Sequence, residues 1–404
     1  MQTNPSIIKR FGILWEQHKQ DWGIILAMIL VTILITLPVY VHRIYFAISD
    51  FPKHIQPAKL ILDQQYQQVS AAFLSHPAYQ FLLIGIHLLT FRKVGMYAIA
   101  VLVQVAVQSL TVLIIYFWFG RGKHNGNWLR AIWAVSLTLV APLMVFVFLD
   151  KLFYLGYIGL ATYHNPTIHL LKPVALLSFL LAVRVFTPFP NSWKVVLSSA
   201  LLVILSALIK PNYLLCILPA LGLMVVIHLI CKKPVDWRLL IAGFLVPGPL
   251  ILVVQLVLTY YLPGNDASSI IFNPLGVMSG YSGYLLPKFL LSILFPLAVL
   301  IFNFRQVVRD NTLRLAWVGF MASVLQMYLL AESGSRFADG NFLWGAQIMS
   351  LILFVASARF LWQEKLATGN FPGWQRIVIL SIYAAHFLAG LAYYVSLMIL
   401  AGYN

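Results

Sequence analysis

Residues 22–41, WGIILAMILVTILITLPVYV, form an uncharged run of twenty, and how it is read decides the fold. Twenty helical residues rise about 30 Å, the thickness of a bilayer's hydrocarbon core. Lys9 and Arg10 precede the run and no small-residue cleavage site follows it, so it reads as an uncleaved first span rather than a leader. The rest of the chain matches it. Of 404 residues, 61% are apolar and 9% charged, where a soluble domain has about 45–50% and about 25%. Mean hydropathy is +0.88. This composition excludes a water-soluble enzyme, a disordered chain and a free nucleic-acid binder. The net charge of +16 therefore points to membrane orientation and to phosphate or anionic lipid. Cys216 and Cys231 lie fifteen positions apart in one apolar run, about 22 Å along a helix, too far for a disulfide.

The pattern predicts an all-α polytopic protein, a single transmembrane domain over 1–404, with eleven spans. They fall at 22–41, 94–119, 131–149, 168–186, 193–209, 213–231, 239–262, 285–304, 315–331, 342–361 and 377–401. The apolar segment 77–91 is short and closed by Arg92 and Lys93, so it is expected to lie flat in the outer loop 42–93. Ile7, Ile8, Phe11, Leu14 and Trp15 share a helical face, which predicts an interfacial helix within 1–21 on the inner side. With the N-terminus cytoplasmic, the inner loops collect seventeen of the 27 Lys and Arg residues, among them Arg121, Lys123 and Arg130. The C-terminus then lies outside. The expected location is the plasma membrane.

Chemistry is expected on the outer face, where isolated bases are not needed for topology. Asp50 stands just past the first span in SDFPKHIQPAKLILD, followed by Lys53 and His54. A carboxylate among cations at the membrane edge stays ionised and can take a proton from a hydroxyl; capping the next helix is the plainer role. Asp150 at the end of the third span is the competing acid. HNPT at 164–167 presents His164 and Asn165, with Lys172 beyond, and KPN supplies Lys210 and Asn212. ESGSRFADGN at 332–341 supplies Glu332 and Arg336, the latter suited to bidentate phosphate contact. No DxD, Walker loop, GxSxG, HExxH or Cys/His cluster occurs, so no cofactor is expected and a divalent metal is not indicated.

An acidic residue just after the first span, in a large outer loop with flat helices, resembles the membrane glycosyltransferases of the GT-C fold. The residues carrying the resemblance are SDFPKHIQPAKLI at 49–61, HPAYQFLL at 76–83, HNPT with Lys172 and Pro173, KPN at 210–212 and NFLWG at 341–345. The resemblance implies a hexosyl- or mannosyltransferase-like enzyme using a sugar on a polyprenyl phosphate, with Asp50 as the base and inversion at the anomeric carbon. The acceptor would be a glycan, lipid or protein hydroxyl, the medium the lipid bilayer, and nucleic acid no partner. The chain departs from some relatives in having one Asp rather than an Asp-Glu pair. The chemistry agrees: an ionised phosphate leaving group needs cations more than a general acid. The alternative is a multi-pass transporter or flippase of a lipid-linked or anionic substrate, which calls for ionisable or broken-helix features near the midplane. There the sequence offers His386 and a few glutamines.

Overall fold

The computed structural model describes residues 21–69, 75–120, 126–151, 154–188, 190–261, 268–367 and 373–399. The expected inner interfacial helix, Arg121, Lys123 and Asp266 lie outside them. The protein is almost wholly helical. Its principal helices are α1 (Trp22–Tyr45), α2 (Phe51–Leu62), α3 (Ala78–Leu89), α4 (Met96–Trp118), α5 (Gly126–Leu137), α6 (Pro166–Arg184) and α7 (Trp193–Ile209). They continue with α8 (Asn212–Ile230), α9 (Trp237–Tyr260), α10 (Leu285–Ser292), α11 (Leu294–Phe302), α12 (Asn311–Leu329), α13 (Leu343–Ala367) and α14 (Gly373–Ile399). Among the described residues, eight helices are long and apolar enough to cross a bilayer, or nine if the bent pair α10 and α11 counts as one span. Leu26, Leu30, Leu34, Leu250 and Val253 are exposed on the outside of the bundle, the surface of a multi-pass membrane protein.

The contacts sort the connecting segments into two ends. At one, Arg130 pairs with Asp21 at 3.5 Å, Asn191 donates to Asp236 at 3.0 Å, and Arg359 donates to the Trp118 carbonyl at 3.3 Å. At the other, the Asp50 N–H donates to the His164 carbonyl at 2.9 Å and Asn212 to the Asn341 carbonyl at 2.7 Å. There too, strands β1 (Ile270–Phe272) and β2 (Leu330–Glu332) pair antiparallel, Ile270 opposite Glu332. Helix α3 begins beside Ser75, whose carbonyl accepts from Gln255 at 2.7 Å, and ends with His87 beside Tyr45 and Met96. Both its ends therefore lie at this second end, and twelve residues reach only about 18 Å.

The expected continuous span at 131–149 is corrected. Helix α5 stops at Leu137, residues 140–144 form no regular secondary structure, and a single turn follows at Val147–Asp150. Pro142 removes the amide a continuing helix would need. The exposed peptide groups are met by α14: Ala141 N–H donates to the His386 carbonyl at 3.1 Å, and His386 Nδ1 bonds the Ala141 carbonyl at 2.7 Å. Gly390 permits the approach, since a Cβ there would collide with the Leu139 carbonyl. The span 285–304 bends by 68° between α10 and α11, where Pro296 cannot donate to the Ser292 carbonyl. In α9 a wide π-turn at Ile241–Leu245 precedes Pro247 for the same reason.

Candidate functional site

The site lies at the end of the bundle that holds Asp50. Asp50 opens α2 yet makes no capping bond to it. Instead its Oδ2 accepts from Asn165 Nδ2 at 3.0 Å, while Lys53 Nζ stands 3.6 Å from Oδ1. Asn165 is held in turn by its position. Its Oδ1 accepts from the Thr167 and Ile168 N–H groups, capping α6, with Pro166 preset for the first turn. HNPT thus caps one helix and orients the carboxylate that starts another. The Asp50 side chain stays 21% exposed, so solvent or a substrate hydroxyl reaches it.

Two imidazoles, His54 and His164, lie near this carboxylate, and a third, His76, lines the neighbouring cavity. His54 packs edge-on against Tyr79, 6.1 Å between centroids; His164 lies 5.6 Å from Trp344; and His76 Nδ1 bonds Ser75 Oγ at 2.8 Å. Burial, with a smaller contribution from the Lys210 charge, lowers His54 and His76 to about 3 and His164 to about 4. At neutral pH the three rings are uncharged and serve as hydrogen-bonding groups.

Lys210 joins the two halves of the site. Preceding Pro211, it is forced into an extended conformation at the break between α7 and α8, which aims its side chain across the bundle end. Its ammonium lies 5.1 Å from the Trp344 ring centroid and is buried. Among the described residues it has neither a hydrogen bond nor a carboxylate within 4 Å. Burial lowers it to about 8, against the more distant pull of Asp50 and Glu332.

Lys210 heads a cavity of about 420 Å³. Its polar end is formed by His76, Lys210, Asn212, Glu332, Arg336 and Asn341, and its wall by Leu215 and Leu218 of α8 with Leu252, Val253 and Leu256 of α9. Val253 and Leu256 also face outward, so the wall is thin on the lipid side. Glu332, brought here by the β1–β2 pair, accepts from Tyr260 and Asn341 and pairs with Arg336 at 3.1 Å. Arg336 is thereby paired within the turn, whereas Lys210 has no carboxylate within 4 Å among the described residues. A lysine ammonium with no carboxylate within 4 Å at the head of an apolar slot suits an anion with a hydrophobic tail.

Of the expected residues, Asp50, Lys53, His54, His164 and Asn165 cluster around the carboxylate, and Lys210, Asn212, Glu332 and Arg336 line the cavity. Lys172 lies buried seven residues into α6 and does not line it. Asp150 is placed elsewhere, paired with the buried Lys288 at 2.5 Å and accepting from Ser282 at 3.2 Å. Lys288 also donates to the Leu155 carbonyl, so it ties both Asp150 and Leu155 to α10. Tyr260 and Trp344 escaped sequence reasoning because aromatics at span ends read as interfacial belts. Among the described residues, no three His, Cys, Asp or Glu side chains group to hold a metal. No protein family, curated protein or solved structure matches this chain.

Proposed function

We propose that this protein is a membrane glycosyltransferase that moves a sugar from a polyprenyl-phosphate donor to an acceptor hydroxyl, with inversion and with Asp50 as the base. The observation that carries the reading is the Lys210 ammonium at the head of the apolar cavity, with no carboxylate within 4 Å among the described residues. A phosphodiester seated at Lys210 places its polyprenyl chain between α8 and α9, against Leu218, Leu252 and Leu256. Phosphate departs as an anion, so the cation stabilises the leaving group and no acid is required. Asp50, held by Asn165, accepts the proton of the attacking hydroxyl as the new glycosidic bond forms and the sugar–phosphate bond breaks. The neutral imidazoles of His54, His76 and His164 hydrogen-bond sugar hydroxyls without competing for that proton.

The plasma-membrane location, the cytoplasmic N-terminus and the outward-facing site belong to this proposal, as does α3 lying flat in the outer leaflet. The positive-inside distribution of the loops supports them.

The test is transfer by purified protein from radiolabelled polyprenyl-phosphate hexoses. Asp50→Asn keeps the shape and the Asn165 contact but accepts no proton, so turnover falls about 10²–10⁴-fold while donor binding persists. Transfer at the wild-type rate by Asp50→Asn refutes the assignment of the base. A second reading, transport of a lipid-linked or anionic substrate, is favoured by the interruption at 138–146 and the 68° bend between α10 and α11. Product formation in detergent, where no second compartment exists, separates enzyme from transporter.

A further inference from the structure

A second cleft opens at the same end of the bundle, of about 550 Å³, between the end of α1, the last turn of α2, the end of α3 and the start of α4. Its lining is unlike the first. Tyr45, half-exposed, and Tyr97 lie 5.7 Å apart at 39°, forming a broken aromatic floor. Lys59 Nζ sits 4.9 Å from the centroid of Tyr97. Asp63 and His87 complete the rim. His87 Nδ1 is engaged by the Val94 carbonyl at 2.8 Å and so carries the proton, which leaves Nε2 as an acceptor. Neither Lys59, in the last turn of α2, nor Asp63, just past its end, has an ion-pair partner within 4 Å among the described residues.

The set therefore offers one cation, one carboxylate, an imidazole, phenol hydroxyls and aromatic ring surface. The charges cancel, which does not suit an anionic lipid headgroup, for which basic residues collect. Sugars match this chemistry: each hydroxyl both donates and accepts, and the C–H face of a pyranose lies against an aromatic ring.

We propose that this cleft is a carbohydrate-binding subsite for a neutral oligosaccharide. Its position gives it a task. Helix α2 runs from Asp50 to the cleft, and Lys59 lies nine residues beyond Asp50, about 13 Å along the axis. On the glycosyltransferase reading above, a growing glycan acceptor lies along α2, its reactive end at Asp50 and its earlier rings on Tyr45 and Tyr97. The protein then prefers acceptors several rings long over a monosaccharide.

The test is equilibrium binding of neutral α- and β-linked hexose oligosaccharides, of two to six rings, to the detergent-solubilised full chain, with no donor present. The expected result is binding of at least one series that strengthens with length and weakens at least tenfold in Tyr97→Ala and in Asp63→Asn. Tyr97→Phe, which keeps the ring and guards against misfolding, retains it. Absence of binding by every oligosaccharide, or unaltered binding in Tyr97→Ala and Asp63→Asn, overturns the proposal. So does a cleft that engages only lipid vesicles. Binding needs no turnover, so it stands or falls separately from the transfer assay: loss of transfer with binding intact refutes the enzyme reading and leaves the subsite.

Discussion

Replacing Lys210 with Met tests the donor site most directly, because Met fills the same volume and removes only the charge. A hydrogen bond to a charged group contributes about 1.5–3 kcal/mol. With each 1.4 kcal/mol worth about tenfold, Lys210→Met weakens donor binding by about 10- to 150-fold. The structure also sets the pH dependence. Burial places the free Lys210 near 8 rather than at the usual 10.5. The donor phosphodiester keeps its single charge throughout, and its anion raises the lysine again when bound. Binding above pH 8 therefore takes up a proton, and affinity falls toward tenfold per pH unit as the pH rises from 8 to 9. The measurement is the Kd of a polyprenyl-phosphate hexose at pH 6.5, 7.5, 8.5 and 9 for wild type and Lys210→Met. Wild type weakens across the upper half of this range; the variant is weak and flat. A wild type insensitive to pH, or a variant that binds as tightly as wild type, refutes the phosphate assignment.

The three buried imidazoles make the fold acid-sensitive. With folded values of about 3 to 4, below the ordinary 6.5, the native state binds fewer protons than the unfolded chain, so stability held above pH 6.5 is lost as pH falls toward 4. Thermal unfolding should occur at a lower temperature at pH 5 than at pH 7, and His54→Gln with His76→Gln should flatten that difference; an identical Tm at both pH values refutes this. Asp150→Asn strands the fully buried Lys288 and should cost about 3–5 kcal/mol of stability, with turnover per folded molecule unchanged. An Asp150→Asn protein of normal stability and no turnover would instead place Asp150 in the chemistry.

Hydropathy located most of the spans, because burial in lipid acts on every residue of a crossing and twenty apolar residues are hard to mistake. It failed at 131–149, where the apolar count is right but the hydrogen bonding is not helical. Pro142 was the local warning; its compensation by His386 and Gly390 lies in another helix and leaves no mark on the segment itself. The site was legible as a set of residues at span ends, not as an arrangement. Nothing near Lys210 announces that Glu332 and Trp344 arrive beside it, since the β1–β2 pairing and the start of α13 make that meeting. Asn165 illustrates a subtler limit. It was a candidate ligand in HNPT, and the fold uses it to cap α6 and to hold Asp50.

The interruption at 138–146 also has a bearing on how the protein is made. Ala141 finds its hydrogen-bonding partner 245 positions later, on the last helix of the described chain. During synthesis those peptide groups enter the membrane long before α14 exists, and in hydrocarbon an open amide or carbonyl costs several kcal/mol. The nascent chain must therefore keep this segment near water or under the care of the insertion machinery. Final closure of the bundle thus waits for α14, which acts as its keystone.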